Sequence, residues 1–470
     1  MICEAGIIVT KKITMSTFLH TKDSVRIKSI DDLAGYFQAH AKSRENRLIG
    51  IECEFLGVNR ETGEALPYSG ENGIEFVLKE LAYQFGYECI EENDHIIALK
   101  KGRDLVTLEP GGQVELSAGP VQNIHQVKAQ LDQFIFELKT MMLFFPKISF
   151  LAYGIQPVSA REKIEWVPKK RYEIMADYLG HRGRLAHDMM KRTATNQVNF
   201  DYTSEQDAFQ KMCLSMRLTA IASALFANSS FSKGKPSGFL TERIHIWQHT
   251  DPGRSGLMIG SLCPNASFEA YLDYLLDLSM MFIVRGGKWI RITNLTFRQY
   301  ISKGFGGHRA TMEDFELHLS TAFPEARFKQ YLEIRGADGQ RVPLIPAVTA
   351  FWKGILYDEA AREHAAQLLR HFTQEDYMKL YREVPVLGLR AKIRGKLVFD
   401  LAKELVKISA HGLKNQKQFN EQEQDESIYL APVWDEILDS GETQGERLIR
   451  LWNTTFRQGL SNVISYLSIK

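Results

Sequence analysis

The chain has 470 residues, 44% of them hydrophobic, which is ample material for a buried core. Its 58 basic and 57 acidic side chains nearly cancel, so no general field draws it to nucleic acid or an anionic membrane, and no segment reaches membrane-spanning length. Five scattered cysteines, Cys3, Cys53, Cys89, Cys213 and Cys263, show no CxxC and no pairing that spacing supports, and read as reduced thiols of a soluble, unprocessed cytoplasmic protein.

Residues 1–45 read as a tail and an amphipathic helix carrying Ile30, Leu33 and Phe37, capped by Ser29 or Asp31. LIGIECEF then alternates Ile49, Ile51, Cys53 and Phe55 with Gly50, Glu52 and Glu54, a strand with glutamates along one side. A helix over 71–86, on Ile74, Val77, Leu78 and Leu81, precedes the hairpin DHIIALKKG. That hairpin leads into LVTLEPGGQVELS, where Leu105, Thr107 and Glu109 share one face until Pro110, Gly111 and Gly112 break the strand. Beyond the break Gln113, Glu115 and Ser117 share a face, with Val114 and Leu116 opposite. Asn123, with Gln126 three residues on, caps a long helix with its apolar stripe on Ile124, Val127, Leu131, Ile135, Leu138 and Met142.

The stretch 146–192 holds a short buried strand, FLAYGIQPV, and otherwise carries no clear period. NQVNFDY repeats the alternation, with Val198, Phe200 and Tyr202 on one face and Gln197, Asn199 and Asp201 on the other. Ser204 and Asp207 open a buried helix running to Phe226; the glycine- and lysine-containing loop FSKGKPSGF then leads to TERIHIW, whose His245 reads as a packed strand residue and Trp247 as core. A strand over Met280–Val284, a turn at GFGGH, a helix over Thr311–Ala322 and the strand YLEIRGADG follow, the last with Leu332 and Ile334 opposite Glu333 and Arg335. After about 345 the patterns are helical, interrupted by the polar run Lys414–Ser427. The expected division is an N-terminal tail and helix (1–45), a catalytic sheet core (46–345) and a mostly helical part of the same unit (346–470).

The expected fold is α+β: an antiparallel sheet with helices on its apolar face and a basin of carboxylates on the other. Glutamate is depleted in strands, and carboxylates gathered beside a glycine turn repel one another unless a cation lies between them. Oxygen-only ligands suit Mg²⁺ or Mn²⁺, and no histidine or cysteine cluster has zinc spacing. Hard cations with arginines nearby are what phosphoryl transfer from a nucleotide requires, here without a P-loop.

The strings IGIECEFLG, LEPGGQVELS, RTATNQVNFD, ALFANSSFSKGKPSGF, TERIHIWQHTDPGRSG, TNLTFRQYI and YLEIRGADG occur in an order that resembles plant- and proteobacterial-type glutamate–cysteine ligases, over most of residues 45–400. The resemblance implies a glutamine-synthetase-like sheet funnel using ATP and Mg²⁺ (or Mn²⁺) to join L-glutamate to L-cysteine through a γ-glutamyl phosphate, as a monomer or homodimer. It also implies Glu52, Glu54, Glu109, Glu115 and Glu333 as metal ligands, with Glu333 and Arg335 catalytic. Arg335 and Gln113 would contact the nucleotide; Arg243, Arg192, Thr195, Gln197 and Asn199 would contact the amino-acid substrate. Cys53 and Ile51 replace a histidine and a threonine of the plant enzymes, and Lys128 and Ala194 stand where plant relatives have cysteines. Two alternatives stay open: a sister ligase using another amine, and a non-catalytic member that binds amino acid or nucleotide.

Overall fold

Each alternating segment carries a hydrophobic row that must be covered and a polar row that must not, and this is what assembles them into one sheet. The computed structural model describes residues 13–14, 25–263 and 266–470. Ten strands form the main sheet: β1 (Ile13–Thr14), β2 (Ile49–Asn59), β3 (Glu88–Glu92), β4 (His95–Lys101), β5 (Asp104–Leu108), β6 (Val114–Ser117), β7 (Ile148–Leu151), β8 (Thr195–Phe200), β9 (Ala326–Phe328) and β10 (Leu332–Asp338). Their spatial order is β1-β3-β4-β5-β6-β2-β8-β10-β9, with β7 continuing along the far end of β2. All pairs are antiparallel except β1 with β3.

The apolar rows, among them Ile51, Phe55, Val114, Leu116, Val198, Phe200 and Ile334, are buried. Helices α1 (Ile74–Phe85), α2 (Ile124–Phe144), α5 (Glu205–Leu225) and α8 (Ile345–Tyr357) cover the sheet. Phe55 meets Phe134 of α2 at 6.0 Å between ring centroids, and Phe200 meets Tyr357 of α8 at 5.2 Å. The expected caps form: Asn123 accepts from Gln126 N and Ser204 from Asp207 N. The polar run ending at Ser427 returns Glu426 into the core, where it accepts from Lys353 Nζ of α8 at 2.6 Å and from Ile124 N of α2 at 2.5 Å.

Several segments differ from their sequence patterns. Instead of one helix, the Ile30–Phe37 stripe forms a short 3-10 turn, Ile30–Leu33, followed by a second at Gln38–His40; Asp32 turns back to accept from Lys28 N and Ser29 N, and Phe37 joins a ring cluster with Phe268 and Tyr271. The unassigned stretch contains α3 (Lys170–Gly180) and α4 (Ala186–Arg192), and only Ile148–Leu151 of FLAYGIQPV is strand. TERIHIW is a helix, α6 (Glu242–Trp247), so His245 is not a strand residue. Cys213 and Cys263 form a disulfide, which corrects the reading of wholly reduced thiols; Cys3 lies outside the described residues. Among the described residues no helix is long and apolar enough to cross a membrane.

The LEPGG turn is built for close approach. Glu109 N donates to Gln113 O, Gly112 N to Glu109 O, and Gly112 sits at φ +82°, a conformation that favours glycine. A Cβ on Gly111 would lie 2.2 Å from the carbonyl oxygen of Lys191 at the end of α4. We expect Gly111→Ala to push the turn off α4 and to destabilise the chain by about 1–3 kcal/mol in urea unfolding; an unchanged midpoint would show that the turn has room to move.

Candidate active site

Strand register alone brings the polar side chains together. Glu54 of β2 lies directly opposite Glu115 of β6, and Glu52 lies between Ser117 of β6 and Gln197 of β8. One rung further, Asn199 of β8 pairs with Glu333 of β10, which pairs with Arg327 of β9. Like charges directly opposite on adjacent strands are destabilising, so the Glu54–Glu115 rung is not there for the sheet. Both open onto a cavity of about 470 Å³ that is also lined by Glu52, Glu109, Thr195, Gln197, Arg243 and Arg335. Burial, then the Glu109 and Glu115 charges, pushes the Glu54 carboxyl well above its usual range. Burial with Glu52 and Glu109 pushes Glu115 up to about 8.

The same cavity also has a basic wall. Glu333, wholly buried, sits among Arg327 (Nη2–Oε1 2.7 Å), Lys329 (Nζ–Oε2 2.7 Å) and Arg335 (Nη1–Oε1 2.5 Å). Burial alone would raise its pKa, but these three cations hold it well below the usual carboxylate range. Arg335 Nη1 also donates to Gln197 Oε1 at 2.6 Å, and its guanidinium lies 5.3 Å from the centroid of Trp247.

Arg243 reaches the cavity because α6 is docked from two sides. Asp338 at the end of β10 accepts from Asn228 N, Ser229 Oγ and Thr241 Oγ1, which ties the ANSS loop and the cap of α6 to the sheet. On the other side, Pro385 within helix α10 (Gln374–Leu387) has no N–H to offer Tyr381 O, and Gln248 Nε2 donates to that carbonyl at 2.5 Å. The Pro385 carbonyl in turn accepts from Leu240 N and Thr241 N. Arg243 is 2% exposed; its Nη2 donates to Arg335 O, while Nε and Nη1 are buried without a hydrogen-bond partner. A guanidinium that lines a cavity and keeps buried N–H groups unpaired is a ready partner for a carboxylate.

The structure does not bring every expected residue to the cavity. Arg192 is turned away, bonded to Asp188 at 2.9 Å and to Ser232, so it braces α4 against the FSKGK hairpin instead of facing substrate. Asn199 donates to Glu52 Oε1 at 3.1 Å and lies off the cavity lining. Gln113 reaches the cavity but its amide is committed to the turn, accepting from Gly111 N and donating to Met190 O and Thr193 O. Thr195 N donates to Glu54 Oε2 and its hydroxyl to Ala337 O. Glu333, expected among metal ligands, is engaged by cations.

The sequence reading missed Lys169, Arg171, Arg327 and Lys329, and placed Trp247 in the core; all five line the cavity. Lys169 donates to Leu108 O at 2.7 Å, next to Glu109, and burial pushes its ammonium down to about 8. Arg327 was findable: a tight hairpin before LEIR pairs it across from Glu333. Lys169 and Arg171 lie where no period exists to assign a face.

The sequence profile described as Glutamate-cysteine ligase family 2 matches residues 48–464. The chain is 39% identical over 440 residues to glutamate–cysteine ligase A, chloroplastic, of Oryza sativa subsp. indica, covering 93% of this chain and 87% of that protein. It is 37% identical to the chloroplastic glutamate–cysteine ligase of Arabidopsis thaliana, covering 93% and 82%. The chain belongs to glutamate–cysteine ligase family 2. In fold, this family member is similar to a glutamate–cysteine ligase from Francisella tularensis in complex with AMP, at TM-score 0.55 and 15% identity over 91% of this chain and 89% of that one. It is also similar to a bifunctional glutathione synthetase from Pasteurella multocida, at TM-score 0.52 and 13% identity over 94% and 54%. These likenesses bear out the antiparallel-sheet fold with helices. The cytoplasmic expectation is overturned, since the curated relatives are chloroplastic by name.

Whether the glutamate–cysteine ligase family site fits a divalent cation is decided by its donors. Among the described residues no three His, Cys, Asp or Glu side chains form a ready metal cage. Mg²⁺ seldom uses one, being held by one or two carboxylates together with water and substrate phosphates. The donors here are hard oxygens with raised proton affinity, which fits such an ion, and binding it would displace the proton from the Glu54–Glu115 rung.

The pH consequence has a definite sign. The folded chain binds the Glu115 proton up to about 8 and the unfolded chain only to about 4.5, so between these values unfolding releases protons and stability falls as pH rises. We expect the rise in melting temperature on adding Mg²⁺ to be larger at about pH 8 than at about pH 6, and Glu115→Gln to reduce that difference. A Mg²⁺ effect independent of pH in the unmutated chain would remove this rung from the metal site.

Proposed function

We propose that this chain is an ATP-dependent ligase that joins the γ-carboxylate of L-glutamate to the amine of L-cysteine through a γ-glutamyl phosphate, the first step of glutathione biosynthesis. The observation that carries the reading is one cavity lined by Glu52, Glu54, Glu109 and Glu115 together with Arg327, Lys329, Arg335 and the incompletely paired Arg243. Residues 46–345 would supply this site and residues 346–470 would brace it, through the contacts of α10 with α6.

Glu52, Glu54, Glu109 and Glu115, joined by Glu333, would hold Mg²⁺ or Mn²⁺, and the bound ion supplies positive charge to the oxygens of the ATP phosphates. Arg243 offers its unpaired N–H groups to a carboxylate of glutamate, and its docking through Asp338 and Pro385 fixes the substrate for attack of the γ-carboxylate on the γ-phosphorus. Arg335, oriented by Gln197 and Glu333, faces the phosphoryl group and stabilises the negative charge that spreads over its oxygens during transfer. Thr195 keeps Glu54 and the bulged end of β10 in register. The cysteine amine then displaces phosphate from the acyl group.

The direct test is ADP release by the purified chain with ATP, Mg²⁺, glutamate and cysteine, compared with a panel of other amines. ADP release that depends on glutamate and is greatest with cysteine is expected; none with any amine would overturn the reading. Arg243→Gln should raise KM for glutamate roughly 30-fold or more, the loss of a buried charged contact of about 2 kcal/mol or above, with a smaller effect on kcat. Arg335→Gln should instead lower kcat by roughly a hundredfold or more.

A further inference from the structure

Glu333 is overmatched. One buried carboxylate is shared by three cations, Arg327, Lys329 and Arg335, all of which line the cavity. The three are not equally fixed. Arg327 Nη1 also donates to Ala322 O at 2.6 Å, and Arg335 Nη1 to Gln197 Oε1 at 2.6 Å. Lys329 reaches Glu333 Oε2 at 2.7 Å and is the most open of the three, with 25% of its side chain exposed against 6% and 10% for the arginines. The four carboxylates Glu52, Glu54, Glu109 and Glu115 line the same cavity. A polyanion entering there is repelled by that wall and has the basic one to settle on.

We infer that Lys329, backed by Arg327, is a polyphosphate-binding residue held on Glu333 until the nucleotide arrives, and that its transfer to phosphate frees Glu333 to join a divalent cation. The exchange rests on the ligase reading given above for the role of Glu333, but the anion-binding half stands without it. In the nucleotide-free chain Lys329 covers Glu333 Oε2; in the nucleotide complex phosphate oxygens take over Lys329 and the cation takes over Oε2, while Arg327 stays on Oε1, so each charge keeps a partner. Nucleotide and metal then favour one another's binding through the chain's own charges, in addition to their attraction in solution. The hairpin geometry supports this division: Lys329 follows the last residue of β9, where a flexible stem can swing, whereas Arg327 and Glu333 are locked in register across β9 and β10.

Calorimetric titration of the full-length chain with inorganic tripolyphosphate in metal-free buffer tests the anion half, and titration with MnCl₂ in the absence of nucleotide tests the release of Glu333. Lys329→Met should bind tripolyphosphate at least tenfold more weakly than the unmutated chain, Lys329→Arg should recover most of that loss, and Lys329→Met should bind Mn²⁺ at least threefold more tightly. Glutamate binding should not change in either variant, which separates this role from general damage to the site. Unaltered tripolyphosphate affinity in Lys329→Met, or Mn²⁺ affinity equal to that of the unmutated chain, would overturn the exchange. Should Lys329→Met fold poorly, Lys329→Gln carries the same expectations. A chain that obeys them yet releases no ADP with any amine would refute the ligase reading and leave the anion site standing.

Discussion

Two carboxylates are forced to face each other across adjacent strands. Glu54 and Glu115 cannot separate without shifting β2 against β6, and that shift would turn Phe55 and Val114 out of the core along with them. Hydrophobic burial on one face of the sheet therefore holds an unfavourable charge arrangement on the other. Burial first, and then the charges of the neighbouring carboxylates, raises the proton affinity of both, and a cation is the ligand that offsets those charges most directly.

The basic wall follows the same logic with opposite sign. Pairing of β9 with β10 sets Arg327 across from Glu333, and Arg335 lies two residues along the same strand face. Carboxylates and cations gathered in one hollow suit a substrate that carries both metal-bound phosphate and a carboxylate. Their presence in one cavity, with Arg243 incompletely paired beside them, is what supports the reading as a phosphoryl- and acyl-transfer site.

Helical parts of the chain serve the sheet by fixing what the strands cannot. Arg243 comes from a six-residue helix too short to be stable alone, held by a carboxylate at one flank and by the carbonyls around a proline at the other. The buried Lys353–Glu426 pair does similar work on the outer layer, joining α8 to the segment that caps α2. Membership of glutamate–cysteine ligase family 2 and the likeness to two solved ligase structures are consistent with a sheet funnel of this design.

Period-two alternation in LIGIECEF, LVTLEPGGQVELS, NQVNFDY and YLEIRGADG was enough to place Glu52, Glu54, Glu109 and Glu115 together, because side-chain direction along a strand is a local property that the chain cannot evade when one face is buried. The caps at Asn123 and Ser204 were legible for the same reason, each depending on residues within one helical turn. Tertiary structure decided the rest. It turned Arg192 away, committed Gln113 to its own turn, made a helix of TERIHIW, brought Lys169 to the carbonyl beside Glu109 and joined Cys213 to Cys263 across a separation of 50 residues. Each of these depends on which distant group supplies a partner for a charge, a carbonyl or a thiol, and pairing between remote segments leaves no period in the sequence to read.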